Sequence, residues 1–475
     1  MDMDERSSRA LLWAVTSAST LLKLAFLLAV PAVPVADETQ YLALARELAA
    51  SGRFGGNCFR PPLYPAYIAL MDVLGLGEFG ALIVQILISS ASVWVAYDIV
   101  LRGMPYQAAE ITVHQIRRCA LLAALLLAFD PVLVFFARTF WTETLFIFFL
   151  LLMIDLLLAG SASGRLRFFG AAGVLLGLGG LTRPVILPAS LLLAIWVVFV
   201  ASRPHGIRRT WRSALARVAV LAAGAILIVA PWTIRNALVE HALVLVDSNG
   251  PFNFHVGNNP DFMTKYVRGE GHRSWDNRWG LVDGRHYNSW LEHSVDVAQR
   301  RAIDRAFLNI AQHPGLAARK VLWAAGDLWQ LDNFLIRHLR WRAFDQELPK
   351  PVAVGLATVS VSFTVVITLT GLIGLAIGRP APVRSMVLLL FLHFTLVSMA
   401  TYTLSRYGVP FRPLLAFYAA YVLLHPRQSL SQLARFPSRP TATVVLLAAL
   451  IAIGVVWTRD VAWSRFSITQ TAPHD

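Results

Sequence analysis

The sequence predicts an all-α polytopic membrane protein, and three observations carry the prediction. Apolar residues make up 56% of the 475-residue chain and charged residues only 15%, with a mean hydropathy of +0.58. Apolar runs close to the ~20 residues that a helix needs to cross a bilayer recur along the chain. These runs are continuous, without the ten-residue alternation of β-barrel strands. A length of 475 therefore does not mean three soluble domains.

Eleven spans are expected, at 11–31, 79–101, 119–137, 141–160, 169–183, 184–201, 218–236, 352–377, 385–404, 407–424 and 441–457. Orientation follows from arginine. With the N-terminus inside, the inner loops are 102–118, 161–168, 202–217, 378–384 and 425–440. Each is basic, from Arg102, Arg117 and Arg118 in the first to Arg427, Arg435 and Arg439 in the last. The net charge of +14 and pI near 10.3 then express topology and contact with anionic lipid. No basic stripe marks a nucleic-acid partner. Pro34-Val35-Ala36 offers a signal-peptidase-like site. The apolar stretch from Leu11 to Val30 is longer than a signal core, so the first span is expected to stay.

This topology divides the chain into an N-terminal transmembrane module (1–236), an outer α-rich insert (237–351) and a C-terminal transmembrane module (352–475). The first outer loop, 32–78, holds the most informative segment, Asp37-Glu38-Thr39-Gln40-Tyr41. Adjacent carboxylates at the mouth of a membrane bundle are costly and point to function. Thr39 to Ser51 has a helical apolar stripe, and Asp37 or Thr39 stands where an N-cap would stand. Capping is the alternative to chemistry for Asp37. Pro61-Pro62 opens a second helix to Gly75, and both helices should lie along the membrane surface.

Further polar groups stand at the outer span ends: Arg138 and Glu143 in a short turn, Arg183-Pro184, Arg235-Asn236, and Arg406-Tyr407. A lone arginine there would snorkel to the headgroups. Several converging guanidinium groups instead match phosphate oxygens. Carboxylates beside a cationic pocket at a membrane surface suit one chemistry. Arginines stabilise a lipid phosphate as leaving group, and a carboxylate deprotonates the acceptor. Asp37 is the expected base, with Glu38 and Glu143 as its acidic partners.

Cys58 and Cys119 lie on opposite sides in this topology and cannot pair. His255, His272, His286, His293, His313 and His338 in the insert show no metal-binding spacing, so no metal is expected. In the insert, one helix is expected from Asn288 to Gln312 and another from Leu316 to Leu331, forming a lid over the acceptor site.

The ordered set Asp37-Glu38-Thr39-Gln40-Tyr41, Arg60-Pro61-Pro62, Asp130-Pro131, Arg138, Glu143, Leu181-Thr182-Arg183-Pro184, Pro231-Trp232-Thr233-Ile234-Arg235-Asn236, Gly257-Asn258-Asn259-Pro260 and Arg406-Tyr407 resembles bacterial members of glycosyltransferase family 39. That family has the GT-C fold and includes the protein O-mannosyltransferases and the lipid A aminoarabinose transferase. The resemblance spans essentially the whole chain. It implies an inverting hexosyl or pentosyl transferase of the bacterial cytoplasmic membrane, with its active site on the outer face. The donor would be a polyprenyl-phosphate-linked sugar and the acceptor a glycan, lipid or protein, with no further cofactor. It carries onto Asp37 as general base, supported by Glu38 and Glu143, and onto Arg60 near the donor phosphate with Arg406, Tyr407, Arg138 and Arg183. Tyr41, Arg235 and Asn236 complete the expected site. Gln40 departs from relatives with arginine there. A transporter or flippase of a lipid-linked sugar is the competing reading. It would favour repeated halves with midplane charges, and neither is visible here. A purely structural membrane protein would leave the acidic pair and span-end arginines unexplained.

Overall fold

The computed structural model describes residues 4–30, 32–55, 58–103, 111–201, 211–268, 277–331, 333–340, 344, 348–379, 381–434 and 440–462. It is an all-α assembly with one two-stranded ribbon, Leu281–Val282 against Arg285–His286, among those residues. Helix α1 (Glu5–Ala29) is followed by the surface helices α2 (Asp37–Ser51) and α3 (Leu63–Val73). Then come α4 (Gly77–Gly103), α5 (Val113–Ala128), α6 (Pro131–Ala137), α7 (Glu143–Ser163), α8 (Leu166–Thr182), α9 (Ala189–Trp196) and α10 (Trp211–Val239). The insert holds α11 (Asn249–Gly257), α12 (Pro260–Val267), α13 (Tyr287–His293), α14 (Val295–Gln312), α15 (Pro314–Asp327) and α16 (Phe334–Arg340). The chain returns through α17 (Lys350–Ile377), α18 (Pro382–Ala400), α19 (Phe411–Leu424), α20 (Pro426–Ala434) and α21 (Pro440–Ala462).

Six helices, α1, α4, α7, α10, α17 and α18, are long and apolar enough to cross a bilayer. The expected span 119–137 is α5 and α6, bent by 56°. The bend has a sequence cause: Pro131 starts α6, and the Asp130 side chain accepts hydrogen bonds from the amides of Val132 and Leu133. Asp130 also accepts from Arg412 Nε at 2.6 Å, which ties the bend to α19. The expected spans 169–183, 184–201 and 407–424 fall on shorter apolar helices. With 14 residues, α19 rises only about 21 Å at 1.5 Å per residue. Most of it is buried, from Phe411 to Tyr421, so it is a core helix of the bundle. Segment 184–201 is irregular, with a 3₁₀ turn, α9 and a π turn in sequence. The last expected span falls in α21.

Close helix approach depends on glycine. A Cβ on Gly173 would stand 2.0 Å from the Leu221 carbonyl, and one on Gly224 2.4 Å from the Gly170 carbonyl. Gly173 and Gly177 thus let α8 and α10 touch backbone to backbone, the packing that small residues permit in membranes. In the insert, the helix expected over 288–312 is broken at Ser294. Its backbone is extended there and its hydroxyl caps α14 by accepting from the Val297 amide.

Candidate functional site

Helix α2 begins at Asp37, and the residue before it, Ala36, has φ +53° and provides no side-chain cap. The Asp37 carboxylate is not spent on capping. It accepts from Arg60 Nη2 at 2.7 Å through Oδ1 and from Arg406 Nη2 at 2.7 Å through Oδ2. Arg60 also donates from Nε to Gln40 Oε1 at 2.8 Å. Asp37, Gln40 and Tyr41 share one face of α2 by helical spacing, so one guanidinium spans two of them. Arg406 Nε has no hydrogen-bond partner among the described residues. Its guanidinium lies over the rings of Trp141, Phe334 and Tyr407.

Burial by itself would raise the Asp37 carboxyl. The Arg406 and Arg60 charges outweigh it and hold the group down to about 2. The triad carries one positive charge in excess.

Arg60, Arg406, Tyr41, Tyr407 and Arg183 line a cavity of about 200 Å³, and Asp37 lies behind the first two. Arg183 is fixed by Glu143, to which its Nη1 donates; Glu143 is fully buried. Phe146, Phe394 and Val397 form an apolar wall from α7 and α18. Asp247, Asn249 and Asn253 of the insert, with Ser398 and Thr401, form a polar wall without cations.

The insert positions Arg406. Lys320 Nζ donates to the carbonyls of Met399, Ala400 and Thr401 at 2.9, 3.3 and 2.9 Å, closing the C-terminus of α18. Asn258 Nδ2 donates to the Ala400 carbonyl at 2.9 Å, and Thr403 donates to Ala324. The 3₁₀ turn Ser405–Gly408 follows, and a Cβ on Gly408 would lie 2.2 Å from the Leu328 carbonyl. The Gly257-Asn258-Asn259-Pro260 segment therefore acts as a joint between insert and bundle.

The other expected site residues stand elsewhere. Glu38 is 2% exposed and accepts from the amides of Phe140 at 2.8 Å and Val35 at 3.0 Å, with His338 Nε2 at 3.6 Å. It stitches the start of α2 to the 138–141 turn. Arg138 does not line the cavity. It donates to the Val30 carbonyl and covers the rings of Phe26 and Phe344. Burial pushes it down to about 10. Arg235 bonds Glu240 at 2.7 Å and the Phe54 carbonyl at 2.9 Å. Asn236 Nδ2 donates to the carbonyls of Val244 and Val246. These residues hold the loops around the site. Asp247 was not singled out from the sequence, since a lone Asp-Ser-Asn in a turn-rich stretch carries no signal.

Among the described residues no three His, Cys, Asp or Glu side chains are grouped to hold a metal ion, and His272 lies outside them. Cys58 and Cys119 are buried and unbridged.

Fold and site define a class: an α-helical polytopic membrane protein with a cationic cavity closed by a small insert. Residues 59–234 match the family model of dolichyl-phosphate-mannose-protein mannosyltransferases. Two solved proteins are similar to the chain at low identity. ArnT from Cupriavidus metallidurans bound to undecaprenyl phosphate is 16% identical, with 89% of this chain and 79% of that one covered and a TM-score of 0.41. The Archaeoglobus fulgidus oligosaccharyltransferase in the apo form is 11% identical, with 94% of this chain covered and a TM-score of 0.49. The chain spans 55% of that oligosaccharyltransferase. Among curated proteins none matches significantly.

Proposed function

We propose that the protein is an inverting glycosyltransferase that moves a sugar from a polyprenyl-phosphate donor to an acceptor at the outer face of the cytoplasmic membrane. One observation carries the reading: two guanidinium groups share a single carboxylate at the wall of a cavity, leaving surplus positive charge and an unpartnered buried N–H on Arg406. That is a site short of one anion. A phosphate monoester fits it, because its oxygens match the guanidinium fork. The apolar wall of Phe146, Phe394 and Val397 would receive the first isoprene units.

In the ligand-free state Asp37, held down to about 2, is a poor base at neutral pH. A donor phosphate draws Arg60 and Arg406 toward itself, and Asp37 loses its cations. Its basicity rises when the sugar is in place. An acceptor hydroxyl or amine then attacks the anomeric carbon from the face opposite the phosphate. The anomeric C–O bond breaks with its electrons passing to phosphate oxygen, and Asp37 takes the acceptor proton. The arginines stabilise the charge that develops on the leaving phosphate. Arg183, anchored by Glu143, completes the cationic wall.

Purified protein with an undecaprenyl-phosphate sugar, assayed for released undecaprenyl phosphate, tests the reading. Release that depends on an acceptor is expected. Transbilayer movement of intact donor without release would make it a flippase. The outer face is tested by cysteine labelling in intact cells: Leu243→Cys, 79% exposed in the insert, should react, and Trp211→Cys, 63% exposed at the start of α10, should not.

A further inference from the structure

The two polar walls of the cavity differ in chemistry. One presents Arg60, Arg183 and Arg406. The rest of the polar lining presents Asp247, Asn249, Asn253 and two hydroxyl groups. A phosphate has no partner on this second wall, and a carboxylate there would repel it. Groups that carry hydroxyls or amines do have partners: a carboxylate and two carboxamides are the usual ligands of a sugar's polar edge. The part of the ligand that meets this wall is uncharged or cationic.

Asp247 is held in place from four directions, although it forms no ion pair among the described residues. Trp232 Nε1 donates to the Val246 carbonyl at 2.8 Å, and Asn236 donates to Val244 and Val246. The Ser248 amide donates to the Cys58 carbonyl at 2.9 Å, and the Tyr287 hydroxyl donates to the Ser248 carbonyl at 2.9 Å. Asn253 accepts from the Tyr402 hydroxyl at 3.3 Å. Aromatic and amide groups on three separate elements thus fix a short loop whose one charged side chain opens into the cavity.

We propose that Asp247, with Asn249 and Asn253, is the specificity-determining subsite for the transferred sugar, accepting hydrogen bonds from neighbouring hydroxyl groups while the arginine wall holds the phosphate. This rests on the donor reading above. Burial pushes the Asp247 carboxyl up, to about 7, against the pull of Arg60 and the Asn249 and Gly250 amides. The merely structural alternative is that Asp247 caps the start of α11.

The test separates phosphate from sugar. Binding of bare undecaprenyl phosphate, and of undecaprenyl-phosphate mannose and glucose, is measured for the parent, Asp247→Asn and Asn253→Ala. Asparagine still accepts from helix amides, so capping survives in Asp247→Asn. The parent is expected to bind one hexosylated lipid at least tenfold more tightly than the bare one. Both variants should bind bare lipid within about twofold of the parent and lose most of that tenfold gain. Equal weakening for bare and hexosylated lipids overturns the assignment and leaves a cap. Unchanged sugar affinity with a kcat at least a hundredfold lower overturns it in favour of proton transfer. A parent that binds no polyprenyl phosphate at all removes the donor reading itself, and the subsite with it.

Discussion

Asp37 and Glu38 are neighbours on one helix and have opposite surroundings. Asp37 meets two guanidinium groups at the cavity wall. Glu38, about 100° around α2, is sealed against backbone amides of Val35 and Phe140. The same division runs through the whole polar set. Arg60, Arg406 and Arg183 face the cavity, and Arg138, Arg235 and Asn236 brace loops behind it. A cluster that reads as one site in sequence divides into a cavity wall and a supporting frame. Loss from the first should change turnover or ligand binding, and loss from the second should change stability.

The sharpest test of that contrast is Asp37→Asn. Loss of a positioned base should lower turnover by about 10² to 10⁴. Removing the carboxylate also removes the competitor for both arginines. Bare undecaprenyl phosphate should then bind at least as tightly as to the parent, in a protein that still folds but melts lower for want of the two ion pairs. Near-normal turnover would end the role of Asp37 as base.

Arg406→Ala ranks next. A charge-assisted hydrogen bond contributes about 1.5–3 kcal/mol, so affinity for undecaprenyl phosphate should fall roughly 10- to 100-fold. Arg60→Ala should do the same, and Arg60→Lys should recover part of it as a point charge that cannot bridge Gln40 and Asp37 together. Unaltered lipid affinity in both alanine variants would take the arginines out of a phosphate site.

Glu38→Gln should show the opposite signature. One of its two backbone bonds is lost or weakened, costing about 1–3 kcal/mol of stability. Melting in detergent should register this, with turnover per folded molecule within a few-fold of the parent. A large turnover defect at unchanged stability would move Glu38 to the cavity wall.

The smallest effect is a titration. Free Asp37, lowered from 3.8 to about 2, keeps its ion pairs above the unfolded value, and their stabilisation is lost only as pH falls through about 2. With undecaprenyl phosphate bound, the carboxyl loses cations and gains an anionic neighbour. Its midpoint, followed by infrared difference spectroscopy against Asp37→Asn, should rise by a unit or more. A fixed midpoint would mean that the arginines never leave Asp37.

Local patterns foretold much of this architecture. Continuous apolar runs announced the helices and Pro61-Pro62 the start of the second short helix, but the bend at Asp130-Pro131 divides what was expected as one span over 119–137. They failed where a single side chain redirects the backbone, as at Ser294, where a cap splits one expected helix into two. Hydropathy also says little about helix length: the expected span 407–424 falls on the 14-residue α19, which is mostly buried from Phe411 to Tyr421.

The sequence by itself determined that the chain is helical and membrane-embedded, and that carboxylates and arginines collect at span ends, because hydropathy and helical period are local properties. Tertiary structure alone decided which of them act together. Arg406 reaches Asp37 across 369 positions, and no local period encodes that meeting. Asp247 becomes unusual only when the insert, the 58–62 segment and α18 come together around it, because its raised basicity comes from lost water.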